Sequence, residues 1–133
     1  MASPDLELQG AIVARLKAFV GVSGIVGQRI YDVPPENAAF PYVSLGPSDV
    51  LGDDAQCVTG YDIAFQIDCW SRAVGFPEVK RLAHEVKVAL HQFALTLPSN
   101  TLVTLDFRQT RTFRDSDGQT SHAAMEFRAL VTA

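Results

Sequence analysis

The chain has 133 residues, of which 47% are hydrophobic and 20% are charged, a composition typical of one folded domain and unlike that of a disordered segment. Its formal net charge of −4 argues against a dedicated nucleic-acid binder, because such proteins carry a surplus of basic residues that neutralises phosphates. We therefore expect a single domain over residues 1–133.

The polar N-terminus and the lack of an apolar run of about 18 residues in the sequence predict neither a signal segment nor a membrane span. The two cysteines, Cys57 and Cys69, are expected to stay thiols in a reducing compartment. The sequence therefore predicts a soluble cytoplasmic product with no membrane partner.

A first helix is predicted from Pro4 to Val20, because Ser3 is a suitable N-cap and proline is favoured at the first helical position. Apolar residues then recur at steps of four and three on one helical stripe, namely Leu8, Ile12, Leu16 and Phe19. The glycines at positions 21, 24 and 27 are interpreted as helix-end and turn residues.

Short extended segments are predicted at residues 27–32 and 40–45, separated by Pro34 and Pro35, which disfavour both helix and central strand. Residues 46–60 are rich in Gly, Pro and Asp and lack a regular pattern. A long mobile loop is predicted there.

The second half of the chain has clearer periodicity. Residues 61–70 alternate as in a strand with its odd-numbered side chains in the core. An apolar stripe at helical spacing follows, formed by Val79, Leu82, Val86, Leu90 and Phe93.

An antiparallel hairpin is predicted from residues 102–113 and 120–131, which are joined by the turn-forming residues 115–118. In its second strand, Met125, Phe127, Ala129 and Val131 are expected to face the core. This order predicts an α+β fold, a mostly antiparallel sheet with two helices packed on one face.

No metal or catalytic site is predicted. His84 and His91 are seven positions apart, about 10 Å along a helix, which is too far to chelate one metal ion. His122 lies near a strand start without a Cys or carboxylate cluster beside it. Cys69 should be buried and inert, whereas the role of Cys57 stays open. We expect no cofactor.

Paired aspartates at positions 53–54 and at 115 and 117 are attributed to turns, where Asp hydrogen-bonds to nearby backbone. The glycines do not have the spacing of a phosphate-binding loop.

Arginine and aromatic residues indicate possible contact surfaces. Arg108, Arg111 and Arg114 form a basic track that could face DNA or a neighbouring protein, and the acidic remainder of the chain favours the protein. Tyr42, Trp70 and Phe76 suit an interface or, with equal weight, ordinary packing at the edge of the core.

Several short sequences occur in an order that resembles a known family: RIYD at 29–32, PP at 34–35, FPYVSLG at 40–46, WSR at 70–72, RTFRD at 111–115, DG at 117–118 and EFRA at 126–129. The chain resembles the phage tail completion, or tail terminator, family over almost its whole length.

The resemblance implies a structural virion protein, not an enzyme, from a long-tailed, siphovirus-like phage, a prophage or a gene transfer agent. Such a protein is expected to form a homo-oligomeric hexamer ring that caps the tail tube, stops its polymerisation and joins the tail to the head. It would be made in the bacterial cytoplasm and lie at the tube–neck junction of the virion. Expected partners are its own copies, the tail tube protein and head–tail connector or neck proteins, with DNA only passing through the lumen.

Six arginine and aromatic residues in the resembling sequences are candidate interface residues, because these side chains often anchor interfaces. They are Arg29, Tyr42, Trp70, Arg72, Arg111 and Arg114. One alternative is a head–tail connector or neck subunit, which would also form a ring. Another is a small enzyme or ligand-binding domain, which would need a deep pocket with convergent polar groups.

Overall fold

The computed structural model describes residues 2–54 and 58–133. Three helices and five strands occur in these ranges: α1 (Pro4–Ala18), α2 (Val20–Val26), β1 (Ile30–Tyr31), β2 (Tyr42–Gly52), β3 (Gly60–Ser71), α3 (Pro77–Leu90), β4 (Thr101–Arg114) and β5 (Ser121–Thr132). The strands form one sheet in the order β1-β2-β3-β5-β4. Only the β1–β2 pair is parallel among the described strand pairs. The predicted α+β fold with a mostly antiparallel sheet is confirmed.

The core lies between the helices and one face of the sheet. Ser3 caps α1 as predicted, since its Oγ accepts a hydrogen bond from the Leu6 N–H at 3.2 Å. The predicted stripes of α1 and α3 are buried, apart from the two phenylalanines at their C-terminal ends. Odd-numbered residues of β3 and β5 meet these helices in one apolar cluster, which confirms the predicted facing of both strands.

Phe93 corrects the predicted stripe of the second helix. The helix ends at Leu90, so Phe93 lies beyond it and is 38% exposed. The Arg15 guanidinium carbon lies 3.5 Å from the centre of its ring.

The N-terminal region contains two helices where one was predicted. The described residues therefore contain three helices, and the expected total of two was wrong. α1 ends at Ala18, the extended Phe19 follows, and α2 then includes Gly21 and Gly24. A Cβ atom at Gly21 would lie 2.1 Å from the Glu85 Oε2 atom, so glycine permits the close approach of α2 to α3. Gly27, with φ of 62°, ends α2 and is a turn glycine as predicted.

No single described helix is long and apolar enough to cross a membrane, and α1 with α2 meets that test only as a pair bent by 77°.

The predicted loop at residues 46–60 was wrong for its first half, because β2 continues to Gly52, which pairs with Tyr61 of β3. The ladder is irregular between Leu45 and Ser48, around Gly46 and Pro47. This irregularity breaks the alternation that would have indicated a strand. Cys57 lies outside the described residues.

The predicted terminal hairpin is confirmed, with Arg114 opposite Ser121 at its turn end. The Asp117 carboxylate accepts hydrogen bonds from the Gln119 and Thr120 N–H groups at 2.9 and 2.8 Å. Gly118 has φ of 74°, a conformation that glycine adopts readily. The attribution of this aspartate to turn chemistry therefore holds.

Candidate assembly surface

The sheet face opposite the helices, which we call the open face, is formed by the even-numbered residues of β3 and β5 with their partners on β2 and β4. Side chains here are mostly half-buried or exposed and include several charges. Arg128 and Asp62 form an ion pair across the face. This bond holds the pKa of Asp62 below its usual range. The open face is thus a charged surface with local internal pairing.

Five ring-bearing side chains form a row across one end of the open face, which we call the aromatic row: Phe40, Tyr42, Trp70, His122 and Phe113. Successive ring centres are 5.0, 6.1, 3.8 and 4.7 Å apart. Strand register creates this arrangement, because Trp70 lies directly opposite both Tyr42 and His122.

Polar contacts fix the centre of the aromatic row. The Trp70 Nε1–H group donates to Ser44 Oγ at 2.9 Å. The His122 Nε2 atom lies 2.6 Å from Asp68 Oδ1, which also accepts from Gln66 Nε2 at 2.8 Å. Each contact restricts side-chain rotation, so the row is held in place before any partner binds.

Two arginines flank the aromatic row. The Arg72 guanidinium carbon lies 4.3 Å from the centre of the Phe40 ring, and that of Arg111 lies 5.7 Å from the centre of the Phe113 ring. Arg72 also donates from Nε to Thr120 Oγ1 at 3.1 Å. Burial is the main cause that raises the pKa of Tyr42, so its hydroxyl stays protonated and available as a donor at neutral pH.

Four of the six predicted interface residues therefore lie together: Tyr42, Trp70, Arg72 and Arg111. The other two do not join them. The Arg114 guanidinium carbon is 4.5 Å from the centre of the Phe76 ring. Arg29 donates from Nε to the Pro41 carbonyl at 2.9 Å, which ties down the segment that enters β2.

Sequence reasoning did not include Phe40, Phe113 and His122 among the predicted interface residues. His122 was interpreted as lacking a carboxylate neighbour, but Asp68 lies beside it although the two are 54 positions apart. Only the pairing of β3 with β5 brings them together. For Phe40, its place in the FPYVSLG sequence was the available signal.

The other candidate reactive groups, Cys69 and His91, are engaged in packing and hydrogen bonding. Cys69 is fully buried, burial raises the pKa of its thiol, and its Sγ atom is 3.8 Å from Met125 Sδ. His91 Nδ1 accepts a hydrogen bond from the Phe107 N–H at 3.0 Å. Within residues 2–54 and 58–133, no three His, Cys, Asp or Glu side chains are grouped so as to hold a metal ion.

Comparison with known proteins identifies the family. The profile of the family Tail completion protein gp17 matches residues 10–132. The chain belongs to this family. A chain from the solved structure "Virion of native gene transfer agent (GTA) particle" is 32% identical to this tail completion protein, covers 100% of both chains and superposes with a TM-score of 0.92. Among curated proteins, none matches. The family predicted from the short sequences is confirmed, and both matches support a structural protein of a phage-type virion.

Proposed function

We propose that this protein is a tail terminator, a hexameric ring at the tube–neck junction that caps the tail tube, stops its polymerisation and joins the tail to the head. The observation that carries the proposal is the full-length match to a virion chain, at a TM-score of 0.92 and 32% identity, in a family defined by tail completion. The proposed work is mechanical and involves no reaction.

The fold suits such a role. A subunit of a capping ring needs a rigid body, lateral surfaces for its neighbours and separate surfaces for the proteins above and below it. The sheet and its helices provide the body, because one apolar cluster joins them. The two sheet edges and the open face are then available as different contact surfaces.

We assign the aromatic row with Arg72 to contact with the next protein of the tail, the tube protein or a neck protein. Aromatic and arginine side chains held in place beforehand lose little entropy on binding and often dominate interface energies. Arg29 has an indirect part in this assignment, because its bond to Pro41 fixes the segment that presents Phe40 and Tyr42.

Deletion of the gene in a particle-producing strain tests the proposal. We expect overlong tails without heads, measured by cryo-electron microscopy, and normal particles when the wild-type gene is supplied in trans. Tails of normal length with attached heads would contradict the proposal. Normal-length tails without heads would instead favour a connector or neck subunit.

A further inference from the structure

Charge is unevenly divided between the two edges of the sheet. Residues 30–54, which include β1 and β2, contain five acidic residues and no Lys or Arg, a net charge of −5. β4 contains three arginines and one aspartate, a net charge of +2. The sheet order places β3 and β5 between these edges, so β1 and β4 are about 19 Å apart at the usual strand spacing. The subunit therefore has an acidic side and a basic side.

The basic side has cations on both faces of β4. Arg111, opposite Ala124, lies on the open face, whereas Arg114 lies towards the helices and Phe76. Both side chains are exposed, and neither forms a salt bridge within the described part of the chain. Their aromatic neighbours orient the guanidinium groups without neutralising them. Lys87 adds a third cation, 4.9 Å from the centre of the Phe107 ring.

The acidic side is built in a similar way. Asp49 of β2 is exposed and lies on the open face, opposite Ala64. Asp5 lies on the helix side, where its carboxylate accepts a hydrogen bond from Ser48 Oγ at 2.9 Å. Asp32 directly follows β1 and is exposed. None of these three carboxylates forms a salt bridge in residues 2–54 and 58–133.

We infer that the β4 edge of one copy binds the β1–β2 edge of the next copy, with Arg111 and Arg114 facing Asp32 and Asp49. The inference rests on the proposed ring, because a closed ring of identical subunits uses two different, mutually complementary surfaces on each subunit. Opposite charges on the two edges favour this head-to-tail order and disfavour pairing of like edges.

Edge protection is the competing explanation for the basic residues on β4. Arginines and the bulges near Val103 and Arg108 would also prevent unwanted strand pairing at an exposed edge. That explanation requires no acidic partner on the opposite edge. A test by charge exchange separates the two, because only the ring contact predicts rescue by a second reversal.

The test uses the deletion strain supplied with variants in trans. We expect R111E/R114E and D32K/D49K each to give the overlong, headless tails of the deletion, because positions 111 and 114 then carry the same sign of charge as positions 32 and 49 of the neighbouring copy. Co-expression of the two variants should restore normal tails, since they can alternate around a ring with an even number of copies, so that Glu side chains at 111 and 114 face Lys side chains at 32 and 49, and arginines face aspartates at the next contact. The four substitutions combined in one chain should also restore them.

Arg81→Glu provides a matched control, because Arg81 is exposed on α3, where it lines the groove with α2, and belongs to neither edge strand. It should support normal tails, and thermal unfolding of each purified variant verifies folding.

Normal tails from R111E/R114E alone would overturn the inference and leave the terminator role intact. Loss of function in both variants without rescue in either combination would also overturn it, and would indicate that DNA or another protein binds the arginines. Normal tails in the deletion strain itself would instead refute the proposed function.

Discussion

At the scale of single residues, the Glu7 carboxylate links the first helix to the segment that enters β4. It accepts hydrogen bonds from the Ser99 N–H and Oγ–H groups at 3.0 and 2.6 Å and from the Asn100 N–H and Nδ2–H groups, both at 3.0 Å. Glu7 is only 8% exposed. The hydrogen bond from the Ser99 side chain is the largest cause that lowers its pKa to about 2.

The depressed pKa of Glu7 predicts a loss of stability in acid. The unfolded chain takes up this proton near the ordinary pKa of 4.5 and the folded chain near 2, so the contribution of Glu7 is complete above pH 4.5 and falls as the pH drops towards 2. Urea unfolding over this range should show that Glu7→Gln is less stable than wild type at neutral pH and that the difference shrinks in acid. Glu36→Gln, at an exposed position, should unfold like wild type. A difference between Glu7→Gln and wild type that does not change with pH would contradict this prediction.

The environment of a residue could be predicted from sequence where it depends on residues nearby in the chain, and not where it depends on distant ones. The burial of Cys69 followed from the alternation of β3 itself, since neighbours two positions apart share a face. The contact between Asp68 and His122 did not, because 54 positions separate them and no local pattern reports strand register.

At the scale of elements, α2 forms although its sequence disfavours a helix. Glycine costs about 1 kcal/mol relative to alanine within a helix, and α2 contains two glycines in seven residues. Burial of Val22 and Val26 offsets this cost. The sequence could not predict α2, because the close approach of Glu85 to Gly21 depends on the position of α3. β2 was missed in its second half for a related reason, since its exposed side chains follow no alternation.

The two glycines at the middle and end of α2 should respond oppositely to alanine. No atom lies within 4 Å of a Cβ placed on Gly24, so Gly24→Ala should raise the free energy of unfolding by about 0.5–1 kcal/mol. Gly27 has φ of 62° and ψ of −126°, a region that other residues rarely adopt, so Gly27→Ala should lower it by about 1–3 kcal/mol. Equilibrium urea unfolding measures both changes. If Gly24→Ala destabilised the protein, the space beside Gly24 in the groove between α2 and α3 would be smaller than the structure shows.

At the scale of the whole molecule, the short sequences that revealed the family meet in space. Tyr42 of FPYVSLG stacks near Trp70 of WSR, Arg72 lies 3.7 Å from Asp117, and Phe113 of RTFRD contacts His122. Residues scattered over most of the chain therefore build one end of the sheet. Their order along the chain predicted the family, whereas their meeting point required the sheet topology.

This convergence predicts separate effects for the aromatic row and the sheet edges. Trp70 is the centre of the row but lies on a central strand, so Trp70→Ala should leave the subunit contacts at both edges intact and weaken docking onto the tail. Loss of an anchor side chain of this kind costs about 2 kcal/mol or more of binding free energy. This corresponds to roughly a 30-fold loss of affinity for each docking site. Quantitative mass spectrometry of purified tails should therefore find much less of this protein relative to the tube protein.

A graded comparison for Trp70→Ala is Ser44→Ala, which removes the hydrogen bond to Trp70 Nε1 but keeps the stack with His122, so it should lower incorporation less than Trp70→Ala does. Thermal unfolding distinguishes loss of docking from loss of folding, because Trp70 is only half-buried and its removal should leave a cooperative transition. A folded Trp70→Ala protein present at wild-type levels in tails with attached heads would show that the aromatic row is not a docking surface. In that case, the convergence of the family sequences would be explained by folding alone, with Trp70 serving to hold β2, β3 and β5 in register.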